Sequence, residues 1–315
     1  MGRTWRRVIA GWRASALLAL AFAFASFASA AERLVIATYN LQNYTLASRR
    51  LPQGFRPNYP KPENEKAALR AVIRALNADV LVFQEIGGAP FLAELRRDLA
   101  REGLSYPYGE AMLAADEERG LAVLGRVPLG AIVAHDDLRA RRRGSETDEP
   151  VRRGLLQVEV PRTGGAITLF VVHLKSRLDV DKDDPRAQDQ RVAEAQAVRD
   201  RILRIFPEPA SARFLLLGDF NDLPGSRALQ AVEARGKTKI ATPLDAADSR
   251  GHRWTHAYTR LGLYSRFDHA LVSGGLAGEV ERAWIADWPE VERASDHRPL
   301  VVELSERLST DAAGR

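Results

Sequence analysis

The 315-residue chain contains no cysteine. That excludes a disulfide framework and a soft thiolate metal site. An exported protein can form disulfides, but small domains need them most. The roughly 285 residues after position 30 are enough to bury a sizeable core without them. No Pro/Gly/Ser-rich linker, low-complexity tract or tandem repeat divides the sequence, so residues 31–315 are expected to form one domain. A charge surplus is missing too, once the N-terminus is set aside. There are 46 Lys+Arg against 41 Asp+Glu, and residues 1–30 hold four of the arginines and no acid, leaving 42 against 41. The basic balance belongs to that segment and is no evidence for nucleic-acid binding. Nor does the sequence show a long apolar or aromatic hairpin of the kind that enters a membrane, so no stable membrane insertion is expected.

Residues 1–30 carry a different message. Arg3, Arg6, Arg7 and Arg13 form a basic start, Ala14 to Phe27 is a run of Ala, Leu and Phe broken only by Ser, and Ala28-Ser29-Ala30 supplies the small residues a signal peptidase accepts. A membrane anchor is the alternative, but the apolar stretch is short for a span of about 20 residues. The segment is expected to be a signal peptide, with the protein exported to a periplasm or secreted. Arg6-Arg7 also admits the twin-arginine route.

Short apolar runs rich in β-branched residues predict strands at Leu34–Tyr39, Val80–Phe83, Leu121–Leu124, Leu155–Val160, Ile167–Val172, Phe214–Leu217, Phe267–Val272 and Leu300–Leu304. Helical spacing predicts helices over 64–76, with a side-chain cap at its start, and over 90–102 and 188–206. Strands mixed with helices indicate layers with helices outside a sheet core. Runs apolar at every position, such as Phe214–Leu217, predict strands covered on both faces. The proline-rich stretch Thr45 to Pro62 and the charged stretch Asp136 to Pro150 are expected to be irregular loops. The arginines Arg139, Arg141, Arg142, Arg143, Arg152 and Arg153 crowd one segment, either as a solvated loop or, for Arg153 in particular, as a substrate contact.

The residues that follow the apolar runs are the informative ones. Leu34–Tyr39 ends at Asn40, and Val80–Phe83 at Gln84-Glu85. Ile167–Val172 ends at His173, with Lys175 close behind. Phe214–Leu217 ends at Gly218-Asp219, with Asn221 and Asp222 following. Asp268-His269 opens another strand, and Ser295-Asp296-His297 precedes the last. An unpaired buried carboxylate costs several kcal/mol, about what a cation or hydrogen-bond partner must offset. Any one of these is consistent with a turn. Six together point to polar groups converging at one sheet edge.

The strings TYNLQNY, DVLVFQEI, FVVHLKS, LLLGDFND, RFDHALVS and SDHRPL resemble the endonuclease/exonuclease/phosphatase superfamily, the DNase I-like hydrolases. They occur in the family's order and span Thr38 to Leu300. The resemblance implies a four-layer α/β sandwich, two mixed β-sheets packed face to face with helices outside. It also implies a divalent-metal-dependent phosphoesterase. Hard oxygen ligands suit Mg²⁺ or Mn²⁺, with Ca²⁺ a further alternative. The resemblance places the metal at Glu85, with Asn40 and Asp296 nearby. His297 is the general-base candidate, since an imidazole titrates near neutral pH. Asp268 would orient or polarise it. Asp219 and Asn221 would hold a phosphoryl oxygen, a second metal or the nucleophile.

His173 stands where secreted nucleases and sphingomyelinases of this family place a second histidine, suited to stabilising phosphate charge or protonating the leaving group. Abasic-site repair endonucleases have tyrosine there, which argues against that class. Lys175 is either a phosphate contact or an exposed loop lysine. Trp254, flanked by His252 and His256, could stack on a base or a lipid headgroup, or pack in the loop base. His269 is expected to pack, and Asp222 to sit behind the site or in a turn. The expected function is a nuclease acting on DNA or RNA. The alternatives are a phospholipid or sphingomyelin phosphodiesterase that recognises a lipid headgroup, a small-molecule phosphatase and, least favoured, a non-catalytic binding module. No protein partner is predicted.

Overall fold

The computed structural model describes residues 33–178 and 181–305. The expected signal peptide lies outside the described residues. No helix among those described is long and apolar enough to cross a membrane.

Two six-stranded sheets organise the chain. In spatial order the first holds Val280–Ile285, Leu300–Leu304, Leu34–Tyr44, Val80–Ile86, Gly120–Gly125 and Tyr108–Met112. The second holds Thr242–Pro243, Asp268–Val272, Phe214–Asp219, Ile167–His173, Leu155–Val160 and Ile132–His135. Each sheet is mixed. Leu34–Tyr44 runs parallel to Val80–Ile86, Ile167–His173 runs parallel to Phe214–Asp219, and the other pairings are antiparallel.

Successive strand side chains point to opposite faces, and here both faces are apolar. Ile36, Val82, Val123, Leu169, Leu215 and Leu217 pack between the sheets. Their neighbours Ala37, Tyr39, Leu81 and Phe83 face outward against α1 (Glu63–Leu76), α2 (Ala89–Arg101) and α5 (Val291–Ala294). Phe170, Phe214 and Leu216 face α3 (Gln188–Ile205) and α4 (Arg227–Glu233) on the other side. The layers are therefore helix, sheet, sheet, helix, as the family resemblance implies, and the continuous apolar runs are covered on both faces as expected.

Two expectations need correction. The stretch Thr45 to Pro62 is not irregular, because Ala47–Leu51 and Gly54–Tyr59 pair as an antiparallel ribbon. Pro57 is tolerated because it falls in the register shift of that ribbon, between the paired residues Arg56 and Tyr59, where a missing N–H removes no ladder hydrogen bond. Helix α1 has no side-chain cap, and Pro62 occupies its N-cap position.

Candidate active site

Both parallel strand pairs run toward one edge, so the residues at their C-terminal ends meet there. Asn40 is the register partner of Gln84 in one sheet, and His173 that of Asp219 in the other. Asp219 is also paired with Asp268, which begins the antiparallel strand beside it. Leu300 pairs with Thr38, and that register carries the preceding residues Asp296 and His297 to the same edge. Convergence follows from topology: chains ending or starting at one edge deliver their terminal side chains into one space.

The local backbone is unusual where the chemistry is densest. Gly218 has φ of 139°, and a Cβ there would lie 2.1 Å from the carbonyl oxygen of Val172. Only glycine fits that approach. Glu85 sits at φ 63°, between two register shifts of its strand, and Asn221 at φ 52°. A left-handed glutamate costs about 1–2 kcal/mol, whereas asparagine adopts that region more readily. The Glu85 carboxylate is held in compensation: Asn43 N–H donates to Oε2 at 2.8 Å, and the Asn40 amide donates to Oε1 at 3.3 Å.

Asp219 is the hub. Its Oδ2 accepts from the amides of Asn40 at 3.0 Å and Asn221 at 3.2 Å, and its Oδ1 accepts the Asn221 backbone N–H at 2.8 Å. His297 Nε2 lies 3.8 Å from Asp219 Oδ2 and His173 Nε2 lies 3.5 Å from it. His297 Nδ1 donates to Asp268 Oδ2 at 2.8 Å, which in the neutral ring leaves Nε2 as the acceptor facing the cleft. Ser295 Oγ donates to the carbonyl of Asn40 and accepts the His297 N–H, locking the histidine segment onto the first sheet.

These contacts set the proton affinities. Burial pushes Asp219 up to about 7, with the Asp268 and Glu85 charges adding to the effect and His297 opposing it. Burial alone would strip His297 of its proton, but the carboxylates of Asp268 and Asp219 outweigh it and hold the imidazole well above its ordinary value. His173 goes the other way: burial, then the nearby Arg153, His297 and Arg119 cations, keep it well below.

The site opens into a cleft of about 740 Å³. Of the residues singled out from sequence, Glu85, Asp219, Asn221, Asp296, His297, Arg153 and Lys175 line it. Asn40, His173 and Asp268 are buried immediately behind. Asp296 is partly exposed, its Oδ2 3.8 Å from His256 Nε2. The Lys175 backbone N–H donates to the buried Glu194. Trp254 is not brought to the cleft. The Arg298 guanidinium sits over its ring at 4.1 Å and Tyr264 packs against it at 4.9 Å, so the loop-base alternative fits this residue. Asp222 accepts from the buried Arg191 at 3.2 Å, behind the site, and the His269 Nε2–H donates to its carbonyl. Arg141 and Arg142 are engaged with Asp148, Glu149 and Asp181, and Arg139 with the Asp148 carbonyl, which fits the solvated-loop alternative for that cluster.

Sequence reasoning missed several cleft residues. Asn43 sits three positions past Asn40 within TYNLQNY and ties Glu85 to Arg119, whose Nε donates to Asn43 Oδ1 at 2.8 Å. Asp116 gathers Arg153 at 3.1 Å, Arg152 at 3.8 Å and Arg119 at 3.9 Å. Its only sequence signal is an acid preceding Arg119 by three residues. Arg177, His256, Tyr258 and Leu263 also line the cleft.

The donor set is fit for a hard divalent cation. Glu85 and Asp296 offer carboxylate oxygens into the cleft with no sulfur among them, and a cation would offset the burial, and the lesser repulsion from Asp268 and Glu85, that lift Asp219. Asp219, Asp268 and His297 also place ligand atoms within 4.8 Å of one another. The short Asp268–His297 contact, however, makes those two a hydrogen-bonded pair.

The sequence profile of the Endonuclease/Exonuclease/phosphatase family matches residues 37–297. Among curated proteins, none matches the sequence significantly. Among solved structures, the human nocturnin catalytic domain with bound sulfate is similar at TM-score 0.59 and 17% identity, over 87% of this chain and 94% of that one. Humanized D. rerio TDP2 is similar at TM-score 0.58 and 15% identity, over 87% and 99%. Sphingomyelinase C from Streptomyces griseocarneus is similar at TM-score 0.55 and 17% identity, over 87% and 99%. At such identities these likenesses concern the fold.

Proposed function

The chain belongs to the endonuclease/exonuclease/phosphatase family of metal-dependent phosphoester hydrolases, and from that premise we propose that it hydrolyses phosphodiester bonds of DNA or RNA by in-line attack of water. One observation supports this above the others. The His297–Asp268 pair faces a cleft lined by Arg119, Arg152, Arg153, Lys175, Arg177 and Arg186, a wall suited to a polyanion.

In its neutral form His297 takes the proton of the attacking water at Nε2 as the phosphorus–oxygen bond to the leaving strand breaks and that oxygen takes a proton from solvent; Asp268 fixes the ring tautomer and stabilises the imidazolium that results. Asp219 and Asn221 orient the nucleophile or a phosphoryl oxygen. His173, kept neutral, donates a hydrogen bond to the phosphoryl group rather than a full positive charge. Glu85, Asn40 and Asp296 would hold Mg²⁺ or Mn²⁺, which when bound supplies charge neutralisation at the phosphoryl oxygens.

A second substrate class, phospholipid or sphingomyelin, draws on a specific feature: Tyr258 and Leu263, which line the cleft, are 43% and 55% exposed. Assaying single-stranded DNA, RNA and sphingomyelin vesicles side by side with Mg²⁺ or Mn²⁺ separates the two. Nucleic-acid cleavage that EDTA abolishes and added metal restores is the expected result. Turnover of sphingomyelin with both nucleic acids intact would overturn the proposal.

A further inference from the structure

Beside the catalytic edge, His256–Tyr258 and Leu263–Ser265 form a small antiparallel ribbon that touches the site directly. His256 bridges to His297, the Ala257 N–H donates to the Asp296 carbonyl at 2.9 Å, and the Arg298 N–H donates to the Thr255 carbonyl at 2.7 Å. The ribbon is thus fastened on both sides of the residue that faces the scissile phosphate. The register pairs His256 with Ser265, Ala257 with Tyr264 and Tyr258 with Leu263. Alternation along a strand puts His256, Ser265, Tyr258 and Leu263 on one face, and Ala257 and Tyr264 on the other.

The two faces have different partners. Tyr264 packs on Trp254, which in turn is covered by Arg298. The opposite face looks into the cleft, and all four of its residues line it. His256 at the inner end stacks on Phe267 and lies 4.7 Å from the His297 ring. Tyr258 and Leu263 at the outer end are 43% and 55% exposed. The result is an apolar, partly aromatic ledge that continues outward from the catalytic histidine.

We propose that this ledge is a nucleobase subsite: the base adjacent to the scissile phosphate in a single strand lies flat against Tyr258, with Leu263 beside it. The proposal rests on the nucleic-acid substrate argued above and specifies how it is read. Charge complementarity selects this occupant. Six cationic side chains line the same cleft, three of them gathered about Asp116 beside Glu85 and His173. A nucleotide places its phosphates against those cations and a neutral ring on the ledge. A lipid with a cationic headgroup would place its ammonium among them instead. Stacking on an aromatic side chain accepts any base, since every base has a π-face, so the ledge favours single strands without strong sequence preference.

The test compares two single strands of equal length and charge. One carries thymine bases throughout, and the other has abasic tetrahydrofuran units in their place. The quantity read is the ratio of kcat/KM between them. In the wild-type enzyme the base-bearing strand is favoured by about 10- to 100-fold, the range a base–aromatic stack supplies. In Tyr258→Ala that ratio collapses toward one, with the change carried in KM. Tyr258→Phe retains it, because the ring and not the hydroxyl does the stacking. Leu263→Ala reduces it partially. Tyr258 is exposed, so the thermal unfolding midpoint of each variant should match wild type. A wild-type enzyme that cleaves strands but keeps its base preference in Tyr258→Ala overturns the ledge and leaves the nuclease activity standing. Equal losses on both strands overturn it too, by assigning Tyr258 a structural role. An enzyme that cleaves neither strand but binds sphingomyelin vesicles less tightly after Tyr258→Ala overturns both proposals in favour of a lipid surface.

Discussion

His297 and His173 reach the same Asp219 Oδ2 from the two sheets, at 3.8 and 3.5 Å, and both are buried. Burial by itself pushes each toward the neutral form. On the His297 side Asp268 accepts a hydrogen bond at 2.8 Å and reverses that push. On the His173 side the nearest strong influence after burial is the Arg153 cation, which reinforces it, and His173 Nδ1 has no hydrogen-bond partner. One carboxylate, two imidazoles and nearly equal distances therefore give opposite proton affinities. The neighbour behind each ring decides the outcome. A site of this kind separates its acid–base work from its charge-stabilising work without needing different residue types.

The difference between the two histidines is greatest in turnover. His297→Ala is expected to lower kcat by about 10²–10⁴-fold, the range of a positioned general base. Asp268→Asn should approach it, because an amide no longer fixes the tautomer or stabilises the imidazolium. His173→Ala should cost less, about 10²–10³-fold, as the loss of one donor to the phosphoryl group. Single-turnover rates on a phosphodiester substrate give all three. If His173→Ala proved the most damaging, the roles assigned to the two sides would have to be exchanged.

A second test concerns the joint that holds His173 and Asp219 side by side. Gly218→Ala places a methyl 2.1 Å from the Val172 carbonyl at a φ of 139°. No rotamer relieves a clash with backbone, so a loss of about 4 kcal/mol or more in folding stability is expected. Urea unfolding at pH 7 measures it, and a change under about 1 kcal/mol would show that the strands can part without cost.

The two sides were not equally legible in the sequence. Asn40, Glu85, His173, Asp219 and His297 each follow an apolar run or precede one, so hydrophobic periodicity alone locates them at strand ends. Runs such as Phe214–Leu217 predicted strands covered on both faces, and their alternate residues do divide between two cores, whereas the helix–sheet–sheet–helix order came from the family resemblance. The left-handed turn at Glu85 gave no signal, since nothing in VFQEI distinguishes it from extended backbone. Tyr108–Met112 went unseen because it carries no β-branched residue, and it borrows its order from its neighbour Gly120–Gly125. The ledge at Tyr258 and Leu263 was hidden by brevity: three residues per strand are too few for an alternating pattern. Trp254 attracted the stacking role instead, because a sequence does not show that Arg298, far along the chain, covers its ring. What escaped detection depends on pairs remote in sequence, and what was visible depends on near neighbours.

A third histidine shows the same physics at a smaller scale. His269 follows Asp268 on the same strand, but its Nε2–H donates to a backbone carbonyl, that of Asp222, at 2.9 Å. With no carboxylate hydrogen-bonded to it, burial outweighs the opposing carbonyl hydrogen bond and Asp268 charge and lowers its pKa to about 4. The unfolded chain binds a proton at this residue below about 6.5 and the folded one does so only near 4, so between those values the unfolded state is favoured. The stability contributed by a neutral His269 is present in full above about 6.5 and is lost as pH falls through 4, on the order of 3 kcal/mol in all. His297 has the opposite sign: its raised affinity stabilises below 6.5 and that contribution fades as pH rises through its folded value. His269→Gln keeps a donor for Asp222 but cannot titrate. Urea midpoints from pH 7 to pH 4 should therefore fall less steeply in the variant, with the difference from wild type growing only below 6.5. A parallel pair of curves would mean that His269 is protonated in the fold, and that a backbone carbonyl suffices to do what Asp268 does for His297.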